Sequence, residues 1–465
     1  MSHPTHSHPH KRAELRSTRA SFKVGNGRER IREYMADVII IGAGISGLSC
    51  AWTLKKLGIE SVILEQSARP GGVIQTAKVD GYQVEYGPNS LQSAPAALKL
   101  IDEAGLWDEI LPPAPNAPRF VFWDEKLRKV PFGPLTTSGI FRVLCEPFVR
   151  SKSPADESVR DFFIRRVGLQ VHDRLVAPAL TGIYAANTAN LCMAAVFPKI
   201  VEMERESGSL AVAFLKSMFR RKTTSAPAPS RPKPKGGSFS FQEGLEVLPR
   251  RLSEQLNIQY NVATAQLNMA PVTVVATPAA SASRLFEAQN PQLATLLKRV
   301  EYAPMAIAAV SLHDFSFKEP LNGFGFLVAR NQGLRILGAL FSSALFPGRA
   351  PKGRELLTCF LGGAFEPEAV DWPDVQIWET VCPELKAALQ TSEVPEPVAL
   401  FRQRHAIPQY NIGHDRWVRA VKDELKKMPG VFIASNYLEG ISVPACIEQG
   451  DRTAHDIAEY LRRKS

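Results

Sequence analysis

A glycine-rich turn close to the beginning of the chain constrains the fold more than any other feature. The apolar run Asp37–Ile41 predicts a short buried strand, and Gly42-Ala-Gly44-Ile-Ser-Gly47 follows it directly. A helical pattern then extends from Ser46 to Leu57, and Ser61–Glu65 predicts a second buried strand of the same kind. Strand, glycine turn, helix and strand together make a βαβ unit, which indicates an α/β fold built on a parallel sheet.

The three glycines of this turn predict the binding of a dinucleotide. In such a turn the first glycine permits the tight bend, the second lets the backbone approach a diphosphate, and the third lets the helix pack closely on the strand. The amides and the dipole of the helix N-terminus then favour the diphosphate. Glu65 ends the second strand about 20 residues further on, where an acid accepts hydrogen bonds from a ribose. This acid suits an unphosphorylated ribose, and therefore FAD or NAD rather than NADP.

Two segments at opposite ends of the chain favour FAD over NAD. Glu65-Gln-Ser-Ala-Arg69-Pro-Gly71-Gly72 resembles the segment that follows the ribose acid in the amine oxidase and phytoene desaturase superfamily of flavoproteins. Gly430–Asn436 and Glu439–Val443 resemble the second flavin-contacting strand and helix start of that superfamily. A helix beginning near Ser442 would direct its positive end at the flavin pyrimidine ring and stabilise the anionic reduced flavin.

Within this superfamily, residues 37–460 resemble the oxygen-dependent protoporphyrinogen oxidase family almost continuously. The resemblance implies oxidation of protoporphyrinogen IX to protoporphyrin IX with FAD and molecular oxygen, and release of hydrogen peroxide, in haem and tetrapyrrole synthesis. The motifs that carry it are Gly81–Leu91, Thr181–Ala185 with Phe197–Lys199, Gln242–Pro249, Gly323–Val328, Leu337–Ser343 with Phe346-Pro347, Ala406–Tyr410 with Gly413-His414, and Ile441–Gly450.

The resemblance also implies two sets of site residues. Its FAD contacts fall on Gly42, Ala43, Gly44, Ile45, Ser46, Gly47, Glu65, Gln66, Arg69, Gly72, Val73, Tyr86, Gly87, Pro88, Asn89, Val262, Ile441, Ser442 and Val443. Its substrate pocket falls on Arg119, Phe324, Leu327, Leu340 and Phe360. A porphyrinogen is a large apolar macrocycle with two propionates, so Arg119 would pair with one propionate while the four apolar side chains pack the rings. Without the resemblance these five would be read as a surface arginine and ordinary core residues.

The implied mechanism is three successive two-electron oxidations in which hydride moves to flavin N5. No protein acid or base is assigned, so the chain orients the substrate and tunes the cofactor. One alternative is oxidation of coproporphyrinogen III, which carries four propionates and would call for more basic residues around the pocket. A second alternative is a catalytically silent flavin-binding scaffold, since the region Gln259–Ala279 is shorter than is usual in the family.

The distribution of charge excludes nucleic acid as a partner. The formal net charge is +10, but residues 1–35 carry eight Lys/Arg against three acids, and Arg220–Lys235 carries six Lys/Arg and no acid. A nucleic-acid-binding protein should show a basic face on its folded body. Here the excess lies in two segments expected to be solvated or to contact an anionic membrane surface.

The remaining sequence signals predict a cytoplasmic protein. There is no apolar stretch of the length that a membrane-spanning helix needs, and residues 1–35 lack the apolar core of a secretory signal. Six scattered cysteines fit a reducing compartment and no metal site. The helix expected at Ser209–Phe219 either packs on the core or lies on the cytoplasmic face of a membrane. The expected partners are a porphyrinogen and oxygen, with peripheral membrane contact and a homodimer as further candidates.

Pattern and resemblance together predict a Rossmann-like FAD-binding domain that is discontinuous in sequence, a mixed α+β substrate domain, and a helical subdomain that faces substrate or membrane. The predicted segments are a disordered basic extension at 1–35, the FAD-binding domain at 36–118, 238–299 and 400–465, the helical subdomain at 119–219, a flexible Pro-rich loop at 220–237, and the substrate domain at 300–399.

Overall fold

A computed structural model describes residues 36–149, 154, 156–219, 234, 237–264, 266–267, 269–316 and 321–464. The predicted extension 1–35 and nearly all of the predicted loop 220–237 lie outside these residues. The strands are β1 (Val38–Ile41), β2 (Ser61–Leu64), β3 (Thr76–Val79), β4 (Tyr82–Glu85), β5 (Leu91–Gln92), β6 (Ile110–Leu111), β7 (Arg119–Trp123), β8 (Lys126–Lys129), β9 (Ser238–Phe241), β10 (Ile258–Gln259), β11 (Val272–Val275), β12 (Tyr302–His313), β13 (Gly325–Val328), β14 (Gly338–Leu340), β15 (Arg354–Gly362), β16 (Glu396–Pro408) and β17 (Val431–Ile433).

Helices connect these strands along the whole described chain. They are α1 (Ile45–Lys56), α2 (Pro95–Glu103), α3 (Thr137–Leu144), α4 (Val159–Val167), α5 (Leu169–Val171), α6 (Ala177–Tyr184), α7 (Met193–Val196), α8 (Pro198–Ser207), α9 (Leu210–Phe219), α10 (Val247–Ser253), α11 (Ala279–Phe286), α12 (Pro291–Lys298), α13 (Ser342–Leu345), α14 (Asp374–Leu389), α15 (His414–Lys426) and α16 (Val443–Lys464). A π-helical turn, His172–Val176, joins α5 to α6.

The first large sheet is parallel and is assembled from both ends of the chain. Its strand order is β10-β2-β1-β11-β17. Ile40 pairs with Ile63 on one side and with Val274 on the other, and Val274 pairs in turn with Phe432. All four residues of β1 are buried, as expected for a parallel strand covered on both faces. The sheet therefore confirms the predicted Rossmann-like α/β fold whose parts are discontinuous in sequence.

The last helix lies against the first helix of this sheet. Helix α16 crosses α1 at Gly450, where an added Cβ would stand 2.5 Å from the carbonyl oxygen of Ser46. Only a glycine permits so close an approach of the two backbones, because any side chain would meet that carbonyl. The crossing brings the N-terminal half of α16 to the glycine-rich turn.

The second large sheet is mixed and contains seven strands among the described residues, in the order β16-β12-β15-β14-β13-β7-β8. One face packs on α14 through Ile377, Val381 and Leu385. This arrangement agrees with the predicted mixed α+β part of the fold. Two predicted boundaries differ from it, because residues 119–129 and 400–408 form strands of this sheet rather than parts of the helical and FAD-binding segments. The pairings that bring them into the sheet, β7 with β13 and β16 with β12, join residues distant in sequence, which local patterns do not reveal.

The helical segment 137–219 is held by buried ion pairs. Arg166, which is 0% exposed, pairs with Glu146, and Arg165 contacts Glu157 and Glu204 at 2.7 Å each. Removing one partner of such a pair leaves an uncompensated buried charge and typically costs about 3–5 kcal/mol. This network therefore fixes how the helices of the segment pack on one another.

Candidate flavin and substrate site

The three glycines of the turn have different surroundings. An added Cβ on Gly42, whose φ is +108°, would stand 2.6 Å from the carbonyl oxygen of Ala276, and one on Gly47 would stand 2.1 Å from that of Gly42. An added Cβ on Gly44 would meet no atom within 4 Å. The first and third glycines are thus required by the fold itself. The second leaves open space at the start of α1, which fits the diphosphate of a dinucleotide.

Glu65 places its carboxylate beside the turn, as a ribose-binding acid requires. The amide of Ala43 donates to Oε2 of Glu65 at 2.7 Å, and the amide and hydroxyl of Ser67 donate to Oε1 at 2.8 and 2.7 Å. The amide of Val262 donates to the backbone carbonyl of Glu65 at 2.9 Å. Val262 therefore lies next to the predicted ribose site. It does so although the sequence between Gln259 and Ala279 is shorter than the family resemblance leads one to expect.

The loop after Glu65 folds back onto the turn. The amide of Gly71 donates to the carbonyl of Ala43 at 2.8 Å, and Gly72 lies beside the Cα of Gly44. Arg69 donates to three carbonyls of this loop and to the Gln75 side chain, so its guanidinium shapes the loop. Gln66 is exposed. Val73, an apolar residue of the same loop, exposes 47% of its surface.

The segments predicted to contact the flavin converge on the same region. An added Cβ on Gly87 would stand 2.1 Å from the carbonyl oxygen of Val73, so the segment Tyr86–Asn89 lies directly against the loop. The helix α16 begins at Val443 as predicted, and the Ser442 hydroxyl accepts from the amide of Ala445 at 3.3 Å. Residues 441–443 are partly exposed. Their helix packs on the glycine-rich turn where Gly450 lies against the backbone of Ser46.

Four of the five predicted substrate residues share one face of the seven-stranded sheet. Arg119, Gly325 and Leu340 are neighbours in one row across the strands, and Leu327, Gly338 and Phe360 are neighbours in the row two residues further along. Because side chains two residues apart on a strand point to the same face, these rows form one continuous strip. We call this face the substrate strip.

Arg119 lies at one end of the substrate strip with its charge available. Its guanidinium lies over the ring of Phe324 at 4.6 Å, a favourable cation–π contact. Phe324, the fifth predicted residue, thus lies beside Arg119 although it precedes the strand. The arginine is exposed, and its guanidinium has no hydrogen-bond or ion-pair partner among the residues that the structure describes. It is free to bind a carboxylate in the bidentate manner.

The substrate strip reaches the predicted flavin residues through side chains that the sequence did not single out. The row that contains Phe360 continues through Ile307 to Phe401. Phe401 stacks on Tyr86 with ring centroids 4.8 Å apart and planes 2° apart. Gly182 of α6 approaches the strip so closely that an added Cβ would stand 2.4 Å from Cδ2 of Leu327. These contacts depend on strand register, which the linear sequence does not show.

The tyrosine at the end of α6 is poorly suited to proton transfer at neutral pH. Burial raises the pKa of Tyr184, at the end of α6, to about 12, so its hydroxyl is a weaker acid than that of an ordinary tyrosine. In the part of the chain that is described, no group of three His, Cys, Asp or Glu side chains is placed to hold a metal ion. What the site offers is an exposed arginine, an apolar strip and an adjoining dinucleotide turn.

The chain matches the family of flavin-containing amine oxidoreductases over residues 45–458. It belongs to this family. It is 33% identical to protoporphyrinogen oxidase 1 of spinach chloroplasts, over 92% of this chain and 85% of that protein. It is 28% identical to coproporphyrinogen III oxidase of Bacillus subtilis, over 91% and 98%. A crystal structure of a protoporphyrinogen oxidase candidate from Exiguobacterium sp. 255-15 superposes with a TM-score of 0.76 at 22% identity, over 92% of this chain and 99% of that one.

Membership of the family makes this chain an FAD-dependent oxidoreductase. Its open space at Gly44, the acid at Glu65 and the helix start at Val443 fit FAD by the chemistry of their donors and acceptors. No helix in the described ranges is both long and apolar enough to cross a membrane.

Proposed function

We propose that this chain oxidises protoporphyrinogen IX to protoporphyrin IX with FAD and molecular oxygen, releasing hydrogen peroxide, in tetrapyrrole synthesis. The observation that carries the proposal is the position of Arg119 at one end of an apolar strip whose other end meets Tyr86 through Phe401. Such a strip suits a flat apolar macrocycle that carries carboxylates on one edge. The names of relatives that cover nearly the whole chain point the same way.

In this proposal each predicted residue has a physical task. The turn Gly42–Gly47 binds the FAD diphosphate, and Glu65 accepts hydrogen bonds from the ribose hydroxyls. The rest of the cofactor is enclosed by the residues around Gly72, Tyr86–Asn89, Val262 and Ile441–Val443. Leu327, Leu340 and Phe360 pack the macrocycle, while Arg119 binds a propionate. Bound FAD supplies the hydride acceptor. The chain itself orients the substrate, and good orientation of a reactant can lower the activation barrier by about 7–11 kcal/mol.

A second candidate substrate, coproporphyrinogen III, is favoured by one observation. Arg330 stacks on Phe365 at 3.6 Å and, within the described residues, its guanidinium has no hydrogen-bond partner. It lines a cavity of about 310 Å³ together with Arg335 and Thr181 of α6. Arg330 lies two residues beyond the end of β13, the strand whose first residue, Gly325, pairs with Arg119. A substrate with propionates on opposite edges would use both arginines.

We propose peripheral contact of the helical segment with the cytoplasmic face of a membrane. Phe132, Phe141, Leu144 and Phe148 are all largely exposed, and so are Phe214 and Leu215 of the predicted amphipathic helix. Ala213 of that helix is buried, so one side packs on the core while another faces outward. Flotation with anionic liposomes tests this contact, and a protein that stays at the bottom of the gradient contradicts it. Light scattering of the purified protein tests the proposed homodimer.

The deciding experiment is an aerobic assay with both porphyrinogens. The purified protein should be yellow, and porphyrin fluorescence should rise with uptake of oxygen. The ratio of kcat/KM for the two porphyrinogens identifies the preferred substrate. A protein that binds FAD but whose flavin neither porphyrinogen reduces without oxygen would instead be a silent scaffold. A protein that cannot be loaded with FAD would overturn the proposal altogether.

A further inference from the structure

Glu85 and Arg349 bury opposite charges beside the predicted flavin segment. Glu85 ends β4 and directly precedes Tyr86–Asn89. Its side chain is 5% exposed and that of Arg349 is 3% exposed, and Nη1 of Arg349 lies 3.1 Å from Oε1 of Glu85. Neither residue is among the site residues that the family resemblance implies, and the two are far apart in the chain.

Both residues make further bonds that hold β4 in place. Oε2 of Glu85 accepts from the hydroxyl of Thr76 at 2.7 Å, and Oε1 accepts from the amide of Leu245 at 3.0 Å. Nη2 of Arg349 donates to the hydroxyl of Ser240 at 2.6 Å. The carbonyl of Arg349 also accepts from the amide of Gln83 at 2.9 Å. Arg349 thus contacts both the backbone of β4, at Gln83, and the side chain of its last residue, Glu85.

The pair lies where the flavin segment and the substrate strip approach each other. Glu85 and Arg349 line a small cavity whose walls include Asn89 of the flavin segment and Leu340 of the strip. The cavity also contains Thr358, the neighbour of Leu340 on β15. A change in the separation of Glu85 and Arg349 would therefore move the two surfaces that must hold cofactor and substrate.

Stability is a poor explanation of this pair. Burial raises the pKa of Glu85 in spite of the nearby Arg349 charge, and burial lowers the pKa of Arg349. Both shifts are towards the neutral forms, because burial disfavours each charge. Replacing a buried ion pair by uncharged residues of similar size is often neutral or stabilising. The pair must then be judged by the geometry it imposes.

We infer that the Glu85–Arg349 pair is a positioning element that sets the distance and angle between the flavin and the substrate strip. The inference rests on the placement of FAD and porphyrinogen proposed above. Hydride transfer requires reacting atoms in near-attack geometry, and a displacement of ~1 Å can cost about a hundredfold in rate. The pair acts through Asn89 and Leu340 and touches neither reactant itself.

The test separates position from stability with a double variant. The single changes Glu85→Gln and Arg349→Met leave one buried charge unpaired, so both should lower Tm and weaken FAD retention. The double variant E85Q/R349M removes both charges and should recover Tm to near the wild-type value. Its kcat should nevertheless stay about ten- to a hundredfold low with little change in KM, and the circular dichroism of bound flavin should differ from wild type. Arg349→Lys, which keeps the charge, should restore part of the kcat lost in Arg349→Met.

A matched control is the equally buried pair Glu146–Arg166 of the helical segment. Because Arg166 also lies 3.5 Å from the carboxylate of Glu204, the double variant E146Q/R166M should lower Tm, but it should change neither flavin dichroism nor the kcat of the folded protein. The inference is overturned if E85Q/R349M recovers Tm, flavin dichroism and kcat together, because the pair is then only structural. It is also overturned if only KM changes. If wild-type protein oxidises neither porphyrinogen, the proposed function fails, while the flavin dichroism of E85Q/R349M, compared with that of E146Q/R166M and wild type, still decides the inference.

Discussion

The amide of Ala43 donates a 2.7 Å hydrogen bond to the carboxylate of Glu65, which links the glycine turn to the acid at the end of the next strand. The turn and the acid therefore behave as one unit, and the carboxylate is held in place by Ala43 and Ser67. A cofactor that binds the unit meets a site whose geometry is already set, so little ordering is needed on binding.

Replacing Glu65 by alanine should weaken FAD binding. The change removes a charged acceptor for the ribose and leaves the amide of Ala43 without its partner. A hydrogen bond to a charged group contributes about 1.5–3 kcal/mol, so the FAD dissociation constant should rise about ten- to a hundredfold. Flavin fluorescence titration of the apoprotein measures it. The control is Glu60→Ala, an exposed acid just before β2, which should leave FAD affinity unchanged.

Alanine at Gly47 should lower the stability of the apoprotein, whereas alanine at Gly44 should abolish FAD binding and leave stability nearly unchanged. Gly47→Ala forces a Cβ to within 2.1 Å of the carbonyl of Gly42, so it should destabilise the apoprotein by at least about 1–3 kcal/mol. In Gly44→Ala the new Cβ meets no atom of the described residues within 4 Å, so Tm of the apoprotein should change little while FAD binding is lost. Thermal unfolding and FAD titration of both apoproteins check this. Normal FAD affinity in Gly44→Ala would show that the open space does not hold the diphosphate.

Replacing Arg119 by methionine should impair substrate binding without affecting the cofactor. The guanidinium of Arg119 lies on Phe324 and has no partner within the described part of the chain, so it is the expected partner of a propionate. Its loss should raise KM for a porphyrinogen about tenfold or more, since a charge-assisted hydrogen bond contributes about 1.5–3 kcal/mol. Steady-state kinetics measure KM, and flavin absorbance measures the FAD content. Lys129→Met is the control, because exposed Lys129 pairs with Phe120 and so lies on the opposite face of the sheet, and this variant should behave as wild type. An unchanged KM in Arg119→Met would remove Arg119 from the site.

A small change on α6 should act through the substrate strip. In Gly182→Ala the new Cβ would stand 2.4 Å from Cδ2 of Leu327, so the leucine must move into the space expected to hold the macrocycle. KM should rise while FAD affinity stays the same. The double variant G182A/L327A removes the clash and should regain part of the lost affinity, a coupling that a double-mutant cycle quantifies. Purely additive effects would show that Gly182 and Leu327 do not act together.

The local pattern predicted the parts of the site that a short segment contains. The strand, turn and helix from Val38 to Lys56 and the helix start at Val443 appear within one residue or so of their expected positions, because glycines and buried runs mark them directly. The contributions of Phe401 and Arg349 were not visible. Their partners, Tyr86 and Glu85, are brought to them only by the pairing of distant strands and loops, and such register is a property of the folded sheets.

The participation of β17 and α16 in the parallel sheet has a consequence for biosynthesis. During translation, β1 and α1 leave the ribosome long before their partners at residues 431–464 exist. Until those last residues emerge, Val275 lacks its strand neighbour and Ser46 lacks the helix that covers it. We therefore expect tight flavin binding only once residues 431–464 have joined the sheet, and a variant truncated before them should expose the apolar surface that they cover.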